Sequence, residues 1–298
     1  KEIGTASGWT DADQQLHIPQ TALQSYNELA WFDGFDTGTD SDITIADNAA
    51  LDNIFDGGGS VSAWFFAFDD GAGNYGRIMD KNHWSLYTKN ESGGNMEVAF
   101  TLTTDGTGST TKTSTRIVKA GRWYHVVATF NSSSVSDQAI IYLNGYATPV
   151  TEDSNGSGTR DDDDGEPLFI GNVAAGSRTF AGAITECSLW TNVLTQAEVN
   201  ELYNDGKALD ATTHSSYVST PANLKGYWRN NGLSTWKDLS DNSNNGTVNN
   251  ITETMLIPEG LDNRDSQGFI MNKHRNTSCL NLPIGTDDYV HVPTRTDG

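Results

Sequence analysis

The stretch from Arg122 to Trp190 constrains this chain most, because three strand-like segments follow one another in it, each with its own turn. Arg122-Trp123-Tyr124-His125-Val126-Val127-Ala128-Thr129-Phe130 alternates bulky and small residues, as a strand held between two layers does. Ile140-Ile141-Tyr142-Leu143-Asn144-Gly145 stops at Asn-Gly, a pair that tolerates positive φ in a tight hairpin turn. Phe180-Ala181-Gly182-Ala183-Ile184 then leads into Leu189-Trp190. Behind it the sequence predicts one helix. Thr195 and Glu198 form a capping box, Gly206 stands where a left-handed C-terminal cap falls, and Val199, Leu202 and Tyr203 share one face.

The rest of the chain follows the same rhythm. Ser60 to Phe68 is its strongest strand, apolar enough for a central position; further candidates are Leu29 to Phe32, Ile43 to Ile45, Gly76 to Met79, Trp84 to Thr88, Met96 to Leu102, Thr115 to Val118 and Leu168 to Gly171. Thirty glycines, with Thr, Ser, Asn and Asp between short apolar runs, favour turns and strands over helices. The expected fold class is all-β, a two-sheet antiparallel β-sandwich with one short helix. Three regions are expected: an N-terminal arm over residues 1–28, a sandwich over 29–209, and a C-terminal extension over 210–298.

A net charge of −21 and a pI near 4.4 create a field that repels phosphate backbones and anionic bilayers, which excludes nucleic acid as a partner. No apolar run is long enough to span a membrane. Cys187 and Cys279 are too few for a disulfide framework and allow either one long-range bridge or two free thiols. Because residue 1 is Lys, a processed or excised product is expected.

The order of FDG (Phe32 to Gly34), SVSAWFF (Ser60 to Phe66), RWYHVVATF (Arg122 to Phe130), IIYLNG (Ile140 to Gly145), LFIGN (Leu168 to Asn172), FAGAITECSLW (Phe180 to Trp190) and LTQAEVNELYNDG (Leu194 to Gly206) resembles the laminin-G-like, concanavalin A-like lectin/glucanase superfamily. The resemblance implies a concanavalin A-like jelly-roll. Past Asp210, Leu224 to Arg229 and Asp238 to Thr247 are similar to a stretch that flanks such domains in phage virion and secreted bacterial proteins, and Cys279 to Pro293 echoes the domain's first strands. The resemblance therefore implies a virion or extracellular surface protein acting in assembly, decoration and adhesion. Its expected partners are other copies of itself or other surface proteins, reached through the two arms, and cell-surface glycans. A calcium-dependent lectin-like module and a glycan-cleaving enzyme are the alternatives.

Calcium is the expected cofactor, since hard cations take several oxygens from loops at a sheet rim. Asp33 and Asp36, with Asp40 and Asp42 beyond, resemble the family's calcium loop, while Thr185 takes the place of the family's second aspartate; Glu186 is the substitute ligand, although strand alternation turns it to the opposite face. Asp161 to Asp164 reads as a solvated acidic loop. Tyr75, Trp84, Tyr146, Trp228 and Trp236 are the candidate platforms for stacking a sugar ring, with core packing as the competing role for each. An enzyme of the superfamily would resemble E-x-D-x-x-E, a spacing that does not occur; Glu186 stands alone and His125 is expected to be structural, so no catalytic residue is assigned.

Overall fold

A computed structural model describes residues 28–36, 41–131 and 134–256. Residues 1–27 of the expected N-terminal arm, the tail beyond Leu256 with Cys279, and Asp40 lie outside the described residues. The strands in chain order begin with β1 (Glu28–Asp33), β2 (Asp42–Ile45), β3 (Gly59–Ala67), β4 (Arg77–Asp80), β5 (Trp84–Ser92) and β6 (Asn95–Leu102). They continue with β7 (Ser109–Thr113), β8 (Val118–Lys119), β9 (Arg122–Phe130), β10 (Ile140–Leu143), β11 (Tyr146–Ala147) and β12 (Val150–Ser154). β13 (Leu168–Ile170), β14 (Ala181–Trp190), β15 (Leu224–Trp228), β16 (Gly246–Asn249) and β17 (Glu253–Leu256) complete the set. Helix α1 (Gln196–Tyr203) and the short α2 (Ser215–Ser219) lie between β14 and β15.

Two antiparallel sheets form the sandwich. One has eight strands in the order β11-β10-β9-β3-β14-β1-β17, with β15 also against β14; the other has nine, β12-β7-β6-β5-β4-β13-β2-β16, with β8 against β6. The two segments joined by Asn-Gly behave as expected: Asn144 (φ 50°) and Gly145 (φ 85°) both adopt the left-handed conformation that reverses β10 into β11. Between the sheets, Phe32 packs edge-on against Phe180 and Trp236, with ring centroids 6.5 and 6.4 Å apart, and Phe65 meets Phe180. Each such ring contributes about 1.5–3 kcal/mol through burial.

All nine residues of β3 are buried, because this strand is covered on both sides. Val61, Ala63 and Phe65 face the core between the sheets; Trp64 and Phe66 belong to a layer on the outer face, where Trp190, Val127 and Tyr142 pack against Leu194, Val199 and Leu202. The helical segment thus covers much of the outer face of the eight-stranded sheet. Among the described residues neither α1 nor α2 packs on the nine-stranded sheet; a short 3-10 turn at Ala72–Asn74 lies against β5.

The boundary expected at residue 209 does not divide the fold. β15 pairs with β14, β16 with β2 and β17 with β1, so residues 224–256 add strands to both sheets. Cys187 is buried and has no disulfide partner among the described residues, and burial pushes its thiol well above its ordinary pKa. Among the described residues no helix is long and apolar enough to cross a membrane.

Candidate functional site

The outer face of the nine-stranded sheet carries charged and aromatic side chains that are largely buried against one another, with Tyr75 the exposed ring among them. Period-two alternation along β5 sends Trp84 and Leu86 into the core and turns Tyr87 and Lys89 outward. Arg77, opposite Tyr87 on β4, lays its guanidinium over the Tyr87 ring at 4.5 Å and donates to Asp80 at 2.9 Å. Tyr75, in the turn before β4, is 38% exposed and takes Arg178 at 5.2 Å and Lys89 at 5.5 Å over its ring. Lys89 donates to Asp153, which also faces Lys112 at 3.3 Å; Lys112 donates to Glu97 at 3.0 Å.

Electrostatics lock this face. Burial alone would raise the Asp153 pKa, but the Lys89 and Lys112 ammonium groups hold it below the usual carboxylate range. The hydrogen bond to Glu97 raises the pKa of Lys112. Arg77, Lys89, Lys112 and Arg178 are four of only 18 basic residues in a chain of net charge −21. The ring of Tyr75 therefore sits among fixed donors and acceptors.

A second site lies on the other side of the sandwich, at an irregularity in β14. Thr185 pairs with Trp64 and Ser188 with Ser62, so three steps on β14 oppose two on β3. The extra residue is accommodated at Glu186, which adopts φ 51°. The bulge breaks the alternation and leaves Glu186 beside outward-facing Tyr227, whose hydroxyl donates to the carboxylate. Arg229 Nε lies 3.2 Å from Glu186 Oε1 and its Nη2 lies 3.0 Å from Asp210. Burial raises the Glu186 pKa against the pull of Arg229, and burial together with the Glu186 charge pushes Tyr227 well up. Burial works against the Arg229 charge, yet Glu186, Tyr227 and Asp210 raise its pKa on balance. Above this cluster a cavity of about 250 Å³ is lined by Thr185, Glu186, Arg229, Asn230, Asn231, Lys237 and Leu239.

The structure separates the expected site residues. Tyr75 stands on the charged sheet face, and Tyr146 is 70% exposed at the β10–β11 turn, distant in the sheet order from Tyr75. Trp84, Trp228 and Trp236 are fully buried core residues, so none offers a ring face to a sugar; their indoles pack between the sheets. Asp33 is exposed and its carboxylate accepts from the Phe35 backbone; Asp36 is also exposed. Asp42 is engaged by Thr44 and Asn249 on the nine-stranded sheet. Glu186 does not join them, because it is committed to Tyr227 and Arg229. Among the described residues no three His, Cys, Asp or Glu side chains converge as a metal site, and Asp40 of the expected calcium loop lies outside them.

The acidic run is also less uniform than a solvated loop. Asp163 is fully buried, and the equally buried Lys81 ammonium contacts its carboxylate at 3.0 Å, its carbonyl at 2.6 Å and Asp52 at 2.7 Å. His125 is buried under Tyr203 and Trp64, a structural position.

The family model described as the concanavalin A-like lectin/glucanases superfamily, Laminin_G_3, matches residues 37–200. The chain belongs to this superfamily. Among solved structures, the "putative carbohydrate binding protein" of Bacteroides ovatus ATCC 8483 is similar at 20% identity and a TM-score of 0.51, over 80% of this chain and 62% of that one. The chain thus spans less than two thirds of that protein's length. The heptameric SAP-like pentraxin of Limulus polyphemus is similar at 15% identity and TM-score 0.44, over 60% and 82% of the two chains. The CBM40 of Ruminococcus gnavus IT-sialidase, bound to alpha2,3 sialyllactose, gives 16% identity and TM-score 0.39, over 55% and 94%. No curated protein matches the chain.

Within this superfamily member, the sequence expectations missed Arg77, Tyr87, Lys89, Lys112 and Arg178. Alternation in Trp84-Ser85-Leu86-Tyr87-Thr88-Lys89 carried a usable signal for two of them, since an inward Leu86 implies outward Tyr87 and Lys89. Tyr227, Arg229 and Lys237 were missed because the sequence leaves open whether the residues beyond 209 pair within the chain or with a neighbour.

Proposed function

We propose that this chain is a non-enzymatic carbohydrate-binding module of an extracellular or virion-surface protein, and that it takes glycan at exposed Tyr75 on the outer face of the nine-stranded sheet. The observation that carries this reading is Tyr75, half-exposed and flanked by the Arg178 and Lys89 cations. A pyranose has an apolar face and polar edges, and a ring surrounded by fixed donors and acceptors complements both. Superfamily membership supports the class of ligand. The similar protein of Bacteroides ovatus is named for carbohydrate binding, which is in keeping with that class.

The non-enzymatic part is supported by the cleft at the bulge. Glycoside hydrolysis uses two carboxyl groups facing the scissile bond, and among the described residues Glu186 is the one carboxylate in that lining. Release of product from a glycan by the wild-type chain, abolished in Glu186→Gln, would contradict it. The assembly role rests on the sequence of the two arms, and sedimentation of the purified chain as a monomer would remove it. Calcium belongs to the proposal through Asp33 and Asp36.

The deciding experiment is retention of the full chain on immobilised polysaccharides, with calcium and with chelator. Tyr75→Ala is expected to weaken retention about tenfold, the scale of losing one binding anchor of about 1.4 kcal/mol. Unchanged retention in Tyr75→Ala, or no retention on any polysaccharide, defeats the sheet-face assignment. Equal retention with chelator removes the calcium component.

A further inference from the structure

The cleft at the Glu186 bulge lies on the opposite side of the sandwich from Tyr75, and its chemistry differs. Its walls are fixed from within. Buried Asn230 accepts from the Ala30 and Gly232 backbone amides and donates to the Ala30 and Ile184 carbonyls, while its own amide donates to Thr185 Oγ1. The floor is equally occupied, with the Glu186 carboxylate met by the Tyr227 hydroxyl and Arg229, and Arg229 shared with Asp210. What remains available is at the mouth. Exposed Lys237 makes no ion pair or side-chain hydrogen bond among the described residues. Leu239, 37% exposed, presents apolar surface beside it, and exposed Asn231 supplies an amide.

We propose that this cleft binds a single carboxylate-bearing sugar residue, of the uronic acid class, with Lys237 meeting the carboxylate and Leu239 the apolar face of the ring. Three features select this class. The cavity of about 250 Å³ is smaller than the roughly 300–1,000 Å³ of sites for larger ligands, so it suits one ring rather than a chain of them. Among the described residues its one unpaired charged group is the Lys237 cation, so a carboxylate gains a local partner there against the net negative field of the chain, while a neutral sugar gains nothing from Lys237. Leu239 and Asn231 together favour a ligand with both an apolar face and hydroxyls over a bare carboxylate.

The inference rests on the carbohydrate reading but not on the sheet face, and the experiment keeps the two apart. Calorimetric titration of the full chain with galacturonate, galactose and acetate is expected to rank galacturonate at least tenfold above the other two. Lys237→Gln, a change at an exposed position, should abolish that preference, and Tyr75→Ala should leave it intact. Equal affinity for galactose overturns the role of the carboxylate. Acetate binding as tightly as galacturonate overturns the role of the sugar. A preference that survives Lys237→Gln, or is lost in Tyr75→Ala, places the anion elsewhere and overturns the cleft.

Discussion

His125 shows what one buried titratable side chain does to this fold. It lies beneath Tyr203 and Trp64, with Nε2 sharing a hydrogen bond with Ser62 Oγ at 2.9 Å and Nδ1 without a partner among the described residues. Burial lowers its pKa from 6.5 to about 3. Between those values the unfolded chain binds a proton that the folded chain refuses, so stability falls as pH drops from 6.5 toward 3, by up to about 1.4 kcal/mol per pH unit. Above 6.5 both states are neutral and this histidine adds no slope. Urea midpoints measured between pH 7 and 4 should therefore decline less steeply in His125→Gln, and parallel declines would refute this account. Sequence alone indicated a structural His125, because its neighbours form a strand between two layers. It did not indicate buried Asp163, whose partner Lys81 is 82 residues away. A run of four aspartates looks solvated until a distant lysine is folded against one of them.

Elements were legible where local chemistry determines them. The capping box on α1 is present as expected, with Thr195 accepting from the Glu198 amide and Glu198 bonding back to the Thr195 amide. The stop differs: Asn204, at φ 47°, forms the left-handed cap, and Gly206 ends the following turn. Asparagine tolerates that conformation well enough to end the helix two residues early. Because α1 holds Val199 and Leu202 against the sheet, Thr195→Ala should lower stability by about 1 kcal/mol, read as a reduced melting temperature. No shift would mean that packing alone fixes the helix start. Polar strands were not legible. β7 reads as Ser-Thr-Thr-Lys-Thr, yet Thr111 and Thr113 are buried and hydrogen-bonded to the Ala139 and Val98 amides, so its inner face is made of satisfied hydroxyls rather than hydrocarbons. The bulge at Glu186 escaped for a related reason. Period-two alternation assumes an unbroken ladder, and only the partner strand reveals the extra residue.

At the scale of the molecule, the fold is closed by late strands that the sequence pattern assigned to an extension. The apolar segments before residue 209 specify a sandwich, but nothing local tells that β1 needs β17 beside it or that β2 needs β16. Such pairings span most of the chain, where periodicity carries no information. They also predict how the protein unfolds. Trp228 and Trp236 belong to the same core as Phe65, Ile184 and Leu189, and Trp236 packs on Phe32. If residues 210–256 were an appended module, Trp236→Ala would loosen that module and spare the rest. In a shared core, it should instead destabilise the whole domain by about 3–5 kcal/mol while unfolding stays a single transition. Hydrogen exchange separates the cases, because the amides of β3, remote in sequence from Trp236, should lose protection together with those of β16. Protection in β3 that persists while β16 exchanges freely would restore the boundary near residue 209. Loss of both in parallel would mean that the cleft at the bulge, built from β14 and the residues after β15, is as stable as the sandwich itself.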